Sequence, residues 1–279
     1  MKVGLRIMRN VKKQAVAPKT IPILREAFDK INDTEIRWLS SAGIMINSHG
    51  TVIMIDPLLE GFDLPLLVDM PIKSEDVPNL DAVLITHCDN DHFSRTTCKN
   101  LSNVCNSYHG PHYVAELMKE EGLNGIGHDI YESFKVGNLN VKLTPADHAW
   151  QNESSKYSKI RKFEFEDYCG FWIDTPEGTI WLPGDSRLLK EQLEMTFPDV
   201  ILLDFSDNSW HIGLDDAVKL ANTYPDAELI LIHWGTVDAP EMNAFNGDPA
   251  DLIGRVVNQE RINILAAGEV FKLDSKNDK

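Results

Sequence analysis

Two stretches of the chain share one pattern, and this repetition constrains the fold more than any other feature. Residues 43–57 read GIMINSHGTVIMIDP, and residues 170–185 read GFWIDTPEGTIWLPGD. Each stretch begins with Gly, runs through an apolar segment, turns at Gly-Thr and returns along a second apolar segment that ends in Asp, at Asp56 and Asp185. Short apolar runs on either side of a glycine turn are typical of β-hairpins.

Each predicted hairpin is followed by α/β material. AVLIT at 82–86 precedes a predicted helix near 111–121, and VILLDF at 200–205 precedes one near 214–223. We interpret the chain as two similar halves whose sheets pack face to face with helices outside, which is a four-layer αββα sandwich of the α/β class. The alternative is that the two hairpins resemble each other only by chance. Residues 1–33 are predicted to be an N-terminal helical extension packed on the domain, with an amphipathic helix over 20–31, and 34–279 a single domain.

Composition narrows the classes of function. The formal net charge of -16 opposes binding to phosphate backbones, so we expect no nucleic-acid partner. No apolar run approaches the roughly 18 residues that a membrane-spanning helix needs, and the basic N-terminus lacks the apolar core of a signal peptide. The four cysteines form no CxxC pair, which favours reduced thiols and a cytoplasmic protein. A homo-oligomer remains open.

Four predicted strands end in His or Asp, which makes them a candidate metal site. The segment THCDNDHF follows one apolar strand. The other three stretches are VKLTPADH, TIWLPGD and AELILIH, which end at His148, Asp185 and His233 respectively. Strand ends on one rim of a sandwich converge, and imidazole with carboxylate suits Zn, Fe or Mn. The candidate ligands are more than one metal needs, which permits two metals with Asp185 between them. They are His87, Asp89, Asp91, His92, His148, Asp185 and His233.

These motifs in this order resemble the metallo-β-lactamase superfamily, over roughly residues 34–272. The closing IHWGT and the general layout are most similar to its L-ascorbate-6-phosphate lactonase-like branch, which neighbours the N-acyl-phosphatidylethanolamine phospholipase D type. The resemblance implies a four-layer metallo-β-lactamase sandwich and a metal-bound hydroxide as nucleophile, with Asp91 also orienting that water. The implied ligands are His87, Asp89 and His148 for a first metal, Asp91, His92 and His233 for a second, and Asp185 as the bridge.

Asp89 departs from the usual HxHxDH motif of that superfamily. It either binds the first metal or leaves that centre incomplete, and we favour a ligand. A carboxylate in place of imidazole shifts the preference of a site toward Mn or Fe relative to Zn. We therefore expect one or two divalent ions, Mn or Zn first, with Fe also open.

The expected function is a metal-dependent hydrolase that cleaves a small ester, lactone or phosphate-bearing substrate. The alternatives are a phosphodiesterase of the phospholipase D type and a non-catalytic metal-binding protein. His211 is a candidate catalytic residue that contacts substrate, although a capping role suits it equally.

Other segments have two interpretations. The basic cluster within residues 151–168 would bind an anionic group of a small substrate if it faces the metals, whereas a solvated loop is the alternative. The apolar loop 58–71 either lines a pocket or packs as core. The remaining histidines, which we expect at the surface, are His49, His109, His112 and His128.

Overall fold

The computed structural model describes residues 7–273, in which two seven-stranded sheets dominate. The strands and helices are β1 (Met8–Arg9), β2 (Ala15–Val16), β3 (Thr34–Ser40), β4 (Gly43–Ser48), β5 (Thr51–Ile55), β6 (Ala82–Leu84), α1 (Arg95–Asn100), β7 (Tyr108–Pro111), α2 (His112–Glu120), β8 (Gly125–His128), β9 (Ser133–Val136), β10 (Leu139–Pro145), β11 (Cys169–Asp174), β12 (Thr179–Leu182), α3 (Lys190–Leu193), β13 (Val200–Leu203), α4 (Leu214–Thr223), β14 (Glu228–Leu231), β15 (Ile262–Asn263) and β16 (Val270–Leu273). Within this range no helix is long and apolar enough to cross a membrane.

The two sheets repeat one topology. The first has the order β16-β3-β4-β5-β6-β7-β8, and the second has the order β9-β10-β11-β12-β13-β14-β15 read from its opposite edge. In each sheet four strands pair antiparallel and the next three add in parallel. The hairpins β4-β5 and β11-β12, read from the sequence, occupy equivalent places. The predicted two-half α/β sandwich is confirmed.

The core lies between the sheets and beneath the helices. Ile44 and Ile46 of β4 belong to the cluster shared by both sheets, whereas Met45 belongs to a second cluster on the outer face. Successive strand residues point to opposite faces, so a strand that is apolar throughout is covered on both sides. Helix α2 packs Val114 and Met118 into the outer cluster. The predicted helices near 111–121 and 214–223 are confirmed as α2 and α4.

The helix predicted over 20–31 is wrong. Only Arg25–Phe28 form a 3-10 turn, and the preceding segment is extended. The backbone N–H groups of Ile21 and Ile23 donate to the carbonyls of Ala267 and Pro71, both at 2.8 Å, so tertiary partners take the donors that a helix would use. Thr20, the expected cap, donates its hydroxyl to the Asp69 carbonyl instead. The segment therefore packs on the domain as an extended strap. The boundary at residue 33 stays a prediction.

Candidate metal centre

The polar ends of several strands converge on one rim of the sandwich. His87, Asp89, Asp91 and His92 lie in the loop after β6 of the first sheet. Strands β10, β12 and β14 of the second sheet lead to His148, Asp185 and His233 respectively. The loop after β6 of the first sheet thus faces the ends of three strands of the second sheet. All seven residues predicted as ligands lie together at this rim.

The first group surrounds the Nε2 atoms of His87 and His148. The Oδ2 oxygen of Asp89 lies 3.4 Å from the first and 3.5 Å from the second. Asp185 Oδ2 lies 3.9 Å from His148 Nε2. Ligand atoms of His87, His148 and Asp185 all lie within 4.8 Å of one another, a spacing suited to one metal ion.

The second group lies beside the first and shares Asp185. Asp91 Oδ2 is 3.5 Å from His92 Nε2 and 3.4 Å from His233 Nε2. Asp185 Oδ2 is 3.1 Å from His92 Nε2 and 3.7 Å from His233 Nε2. One carboxylate therefore stands between two clusters of ligand atoms, which is the geometry of a bridging ligand.

Each histidine of the rim is oriented by a bond from its other ring nitrogen. The carbonyls of Trp210 and Ala244 can only accept, so His148 and His233 donate from Nδ1, at 2.6 and 2.9 Å. Nδ1 of His92 faces the carboxylate of Asp56 at 2.8 Å. Donation from Nδ1 leaves the Nε2 lone pair directed at the centre, which is the arrangement of metal-binding imidazoles.

The orientation of His87 follows from a short relay. The hydroxyl of Thr86 donates to Asp56 Oδ2 at 2.6 Å, so its oxygen accepts from His87 Nδ1 at 2.9 Å. The Thr86 amide donates to the other Asp56 oxygen at 2.8 Å. Asp56 is thereby a common acceptor that orients two imidazoles, His92 directly and His87 through Thr86.

Two inward nitrogen atoms lack any hydrogen-bond partner. Among the described residues, Nε2 of His87 and Nε2 of His233 are buried and make no hydrogen bond. An unpaired buried polar atom costs about 1–3 kcal/mol, and native proteins rarely leave one without a reason. Both atoms aim at the two clusters of carboxylate oxygens, so the donor set fits divalent metal ions.

The electrostatics of the metal-free centre reflect its burial and its mixed charges. Burial and the neighbouring His92 lower the pKa of His87. Burial disfavours the charged form of His92 as well, but Asp185 and Asp91 overcome it and raise its pKa well above the ordinary value. Burial likewise opposes ionisation of Asp185, yet His211, His92 and His233 hold its pKa well below the usual range. The carboxylate is therefore ionised and ready to bind a cation.

Asp89 is held by a second layer of side chains. Trp150 Nε1 donates to its Oδ2 oxygen at 2.7 Å, and Gln151 Nε2 donates to its Oδ1 oxygen at 2.6 Å. Gln151 in turn accepts from the Tyr168 hydroxyl at 2.6 Å. Burial would raise the pKa of Asp89, but the neighbouring imidazoles of His148 and His87 lower it well below the usual range. The residue that departs from the superfamily motif is thus a fixed, ionised carboxylate directed at the first group.

His211 forms a dyad with a carboxylate that the sequence reading left unassigned. Asp204 follows β13, and its Oδ2 lies 2.6 Å from His211 Nδ1. The other ring nitrogen, Nε2, lies 3.5 Å from Asp185 Oδ2. Both residues are buried, and His211 lines the cavity over the metal residues. His211 therefore faces the site and is not a helix cap.

The backbone at two of these strand ends is left-handed. Asp56 has φ 44° and His233 has φ 60°. Non-glycine residues take this region at a cost of order 1–3 kcal/mol, and such residues cluster at functional sites. The N–H of His233 is fixed by the Ser41 carbonyl at 2.8 Å. This turn directs the imidazole inward at the end of β14.

A cavity of about 630 Å³ opens above the metal residues. Its floor includes Asp89, Asp91, His148 and Asp185, and its walls come from loops that the sequence left ambiguous. The loop 58–71 contributes Phe62 and Leu64, and residues 150–163 contribute five more side chains, which are Trp150, Gln151, Tyr157, Ile160 and Phe163. The first loop therefore combines both interpretations, because Phe62 and Leu64 line the cavity while Leu58 and Leu59 are buried. The second loop lines the cavity with other side chains than its basic residues.

Comparison with known proteins places this arrangement in a family. Residues 51–234, more than half of the chain, match the model of the beta-lactamase superfamily domain. The chain belongs to the metallo-β-lactamase superfamily. Among curated relatives, a UPF0173 metal-dependent hydrolase from Pyrococcus furiosus is 27% identical over 228 residues, which is 79% of this chain and 92% of that protein.

Two solved structures show the same fold. A metallo hydrolase from the archaeon Ignicoccus hospitalis superposes with a TM-score of 0.66 at 19% identity, covering 87% of this chain and 99% of that one. An isothiocyanate hydrolase from Delia radicum gut bacteria gives a TM-score of 0.68 at 20% identity, covering 85% and 99%. The superfamily, its fold and the enzyme class of metal-dependent hydrolase are confirmed. The lactonase-like branch stays a prediction.

Sequence reasoning placed two histidines wrongly and missed several residues. His109 and His128 were expected at the surface, but their exposed fractions are 6% and 5%. Nδ1 of His109 lies 2.9 Å from Nε2 of His128, and neither residue adjoins a predicted ligand in the sequence. The residues that orient the ligands were not predicted, although a signal existed for one of them. Asp56 ends the first hairpin as Asp185 ends the second. The missed residues are Asp56, Thr86, Trp150, Gln151, Tyr168 and Asp204.

Proposed function

We propose that this protein is a metal-dependent hydrolase that cleaves a small ester or lactone. One observation carries the proposal. Five buried histidines engage Nδ1 in orienting contacts and turn Nε2 toward three carboxylates beneath an open cavity. Structural metal sites are closed by protein ligands, whereas catalytic sites keep a position open to substrate. A cavity directly over the ligand cluster supports catalysis over a purely metal-binding role.

The distances support two divalent ions. His87, Asp89 and His148 would hold the first ion, and Asp185 would bridge to the second. Asp91, His92 and His233 would hold the second. The mixture of imidazole and carboxylate, without thiolate, suits Mn or Zn, with Fe also open. When bound, such ions lower the pKa of a coordinated water and polarise the scissile carbonyl.

The protein's own groups would position the substrate and move its protons. Asp91 borders the cavity, where its carboxylate would accept the proton of the attacking water. His211, protonated on both ring nitrogens, would donate its Nε2 proton to the leaving oxygen while Asp204 holds the ring through Nδ1. Solvent in the open cavity would then reprotonate His211 and take up the proton from Asp91. The apolar side chains that line the cavity would lower the local dielectric constant and so strengthen each of these electrostatic interactions.

Two further proposals concern the cellular compartment and the domain organisation. All four cysteines are free, which supports a reducing compartment such as the cytoplasm. Residues 7–33 pack along the domain with a 3-10 turn at Arg25–Phe28, which supports treating the N-terminal segment as an extension of one domain.

The test combines metal content with turnover. Protein purified without added metal is analysed by inductively coupled plasma mass spectrometry, then assayed with 4-nitrophenyl esters and γ-lactones before and after chelation. We expect Mn, Zn or Fe near one or two equivalents, and hydrolysis that chelation removes and metal restores. The His148→Gln variant should lose hydrolysis and the metal of the first site, whereas His112→Gln, which changes an exposed histidine outside the centre, should keep both. Metal without any hydrolysis would leave the binding role as the better proposal.

A further inference from the structure

The cavity over the metal residues has a composition that points to one class of substrate. Tyr113, Trp150, Tyr157 and Phe163 form an aromatic wall on one side. The members pack on one another edge to face, with ring centroids 5.3 Å apart for Trp150–Tyr157 and 5.9 Å apart for Tyr113–Phe163. Such mutual packing gives a rigid surface that loses little entropy when an apolar group binds to it.

Aromatic side chains border the metal residues on two sides of the cavity. Trp150 is itself the donor to Asp89. On the opposite side, Phe245 stacks on the imidazole of His233 at 5.2 Å and contacts Phe62 edge to face at 6.1 Å. A group attached directly to the scissile carbonyl would therefore lie between aromatic surfaces.

Positive charge is nearly absent from this cavity. Among the described lining residues Arg95 is the one Lys or Arg, and it forms an ion pair with Glu121 at 2.9 Å. Arg161, in the basic cluster within residues 151–168, pairs with Asp167 at 2.9 Å, and Lys162 pairs with Glu164 at 2.9 Å, as the solvated-loop interpretation predicts. Arg161 Cζ lies 3.9 Å from the Tyr113 ring and Lys156 Nζ lies 4.8 Å from the Tyr157 ring, so these two cations pack on the aromatic side chains, and no Lys or Arg of the cluster is among the lining residues.

Negative charge is present in its place. Asp63 lines the cavity with the three carboxylates of the centre. Away from the ligand cluster, a phosphate or carboxylate would meet the Asp63 carboxylate, and Arg95, the one cationic lining residue described, is already paired with Glu121; desolvating a charge without a partner is costly. An uncharged, apolar group faces no such cost.

We infer that the cavity binds uncharged esters or lactones whose acyl group is a bulky alkyl chain or aryl ring lying on the aromatic wall. This inference rests on the proposed function, because it names the substrate class of the same site. The volume of about 630 Å³ lies within the usual range for small-molecule sites and exceeds the need of an acetyl group.

The experiment uses metal-loaded protein and two matched series. In the first, 4-nitrophenyl esters run from acetate to octanoate, and kcat/KM should rise about fourfold per buried methylene until the cavity is filled. In the second, 4-nitrophenyl hexanoate is compared with mono-4-nitrophenyl adipate, which has the same chain length and a terminal carboxylate. We expect the hexanoate to be preferred at least tenfold. Equal rates along the first series, or preference for the adipate or for 4-nitrophenyl phosphates, would overturn the inference while hydrolysis itself stood.

A variant pair tests the location. Ile160 is 64% exposed at the cavity mouth, so Ile160→Lys should fold and should shift preference from hexanoate toward adipate. Ile253 is 43% exposed and lies outside the lining, so Ile253→Lys should leave the preference unchanged. The same change in both variants would overturn the assigned wall.

Binding separates failure of the cavity from failure of the chemistry. Calorimetric titration with 4-nitroanilides of the same acyl chains needs no turnover. If no ester is hydrolysed but affinity still rises with chain length, the proposed function fails and the apolar cavity stands. If esters are hydrolysed but neither rate nor affinity depends on the chain, the inference alone fails.

Discussion

Removing one hydrogen bond to Asp89 should weaken metal binding without emptying the centre. In Trp150→Phe, Asp89 Oδ2 loses the indole N–H that lies 2.7 Å away, although that oxygen still faces His87 and His148. Gln151 continues to hold the other oxygen at 2.6 Å. The carboxylate then keeps one of its two anchors.

The expected magnitude follows from these contacts. A hydrogen bond to a charged group contributes about 1.5–3 kcal/mol. Loss of a residue that orients a metal ligand usually costs 10- to 100-fold in affinity, which is about 1.4–2.8 kcal/mol. Because Gln151 remains, we expect the lower end, about tenfold weaker binding at one of the two sites.

The assay is competition with a chromogenic chelator for Mn²⁺ and Zn²⁺. Trp172→Phe is the matched control, because its indole also donates to a carboxylate, Asp174, at 2.8 Å, at the end of β11 away from the rim. Its metal affinity should equal that of the unchanged protein. Unchanged affinity in Trp150→Phe, or an equal loss in Trp172→Phe, would refute a role for Trp150 in orienting a metal ligand.

Three further outcomes are expected. Asp204→Asn should lower kcat about 100-fold while metal content, read by mass spectrometry, stays constant, because His211 loses the carboxylate that orients it; loss of metal would contradict this separation. Chelation should lower the free energy of unfolding by about 3 kcal/mol relative to protein in metal at 100 times its Kd, measured by urea titration. Burial and neighbouring His128 lower the pKa of His109 in the folded protein to about 4. In the unfolded chain this pKa is near 6.5, so the unfolded state takes up the proton first as the pH drops, and the free energy of unfolding falls. Between pH 7 and pH 5 this contributes about 2 kcal/mol of lost stability, and His109→Gln should show a decline smaller by that amount.

Much of the fold could be read from local patterns. The hairpins at 43–56 and 170–185 were predictable because a Gly turn between apolar runs has few other solutions. Helices α2 and α4 were predictable from apolar spacing. The helix over 20–31 had a suitable pattern too, but Ile21 and Ile23 donate to carbonyls at 267 and 71, which are distant in sequence. Local propensity cannot anticipate a distant acceptor.

The ligand residues were also within reach of the sequence, because each follows a strand and imidazole with carboxylate has a restricted chemistry. Which strand ends meet at the rim depends on the order of the strands within the two sheets. The sequence alone therefore determined the superfamily, the two-half architecture and the His and Asp side chains that the fold brings together at the rim.

Only the tertiary structure decided how those side chains are held and what lies above them. Asp89 could be judged a fixed carboxylate only once Trp150 and Gln151 were seen on its two oxygens. The cluster at 151–168 looked basic in sequence, yet Arg161 pairs with Asp167 and Lys162 pairs with Glu164. Tyr157 and Phe163 of the same segment face the cavity. The physical reason is the same in both cases. Hydrogen-bond partners and the direction of a side chain depend on segments that meet only after folding, and residue type alone carries neither.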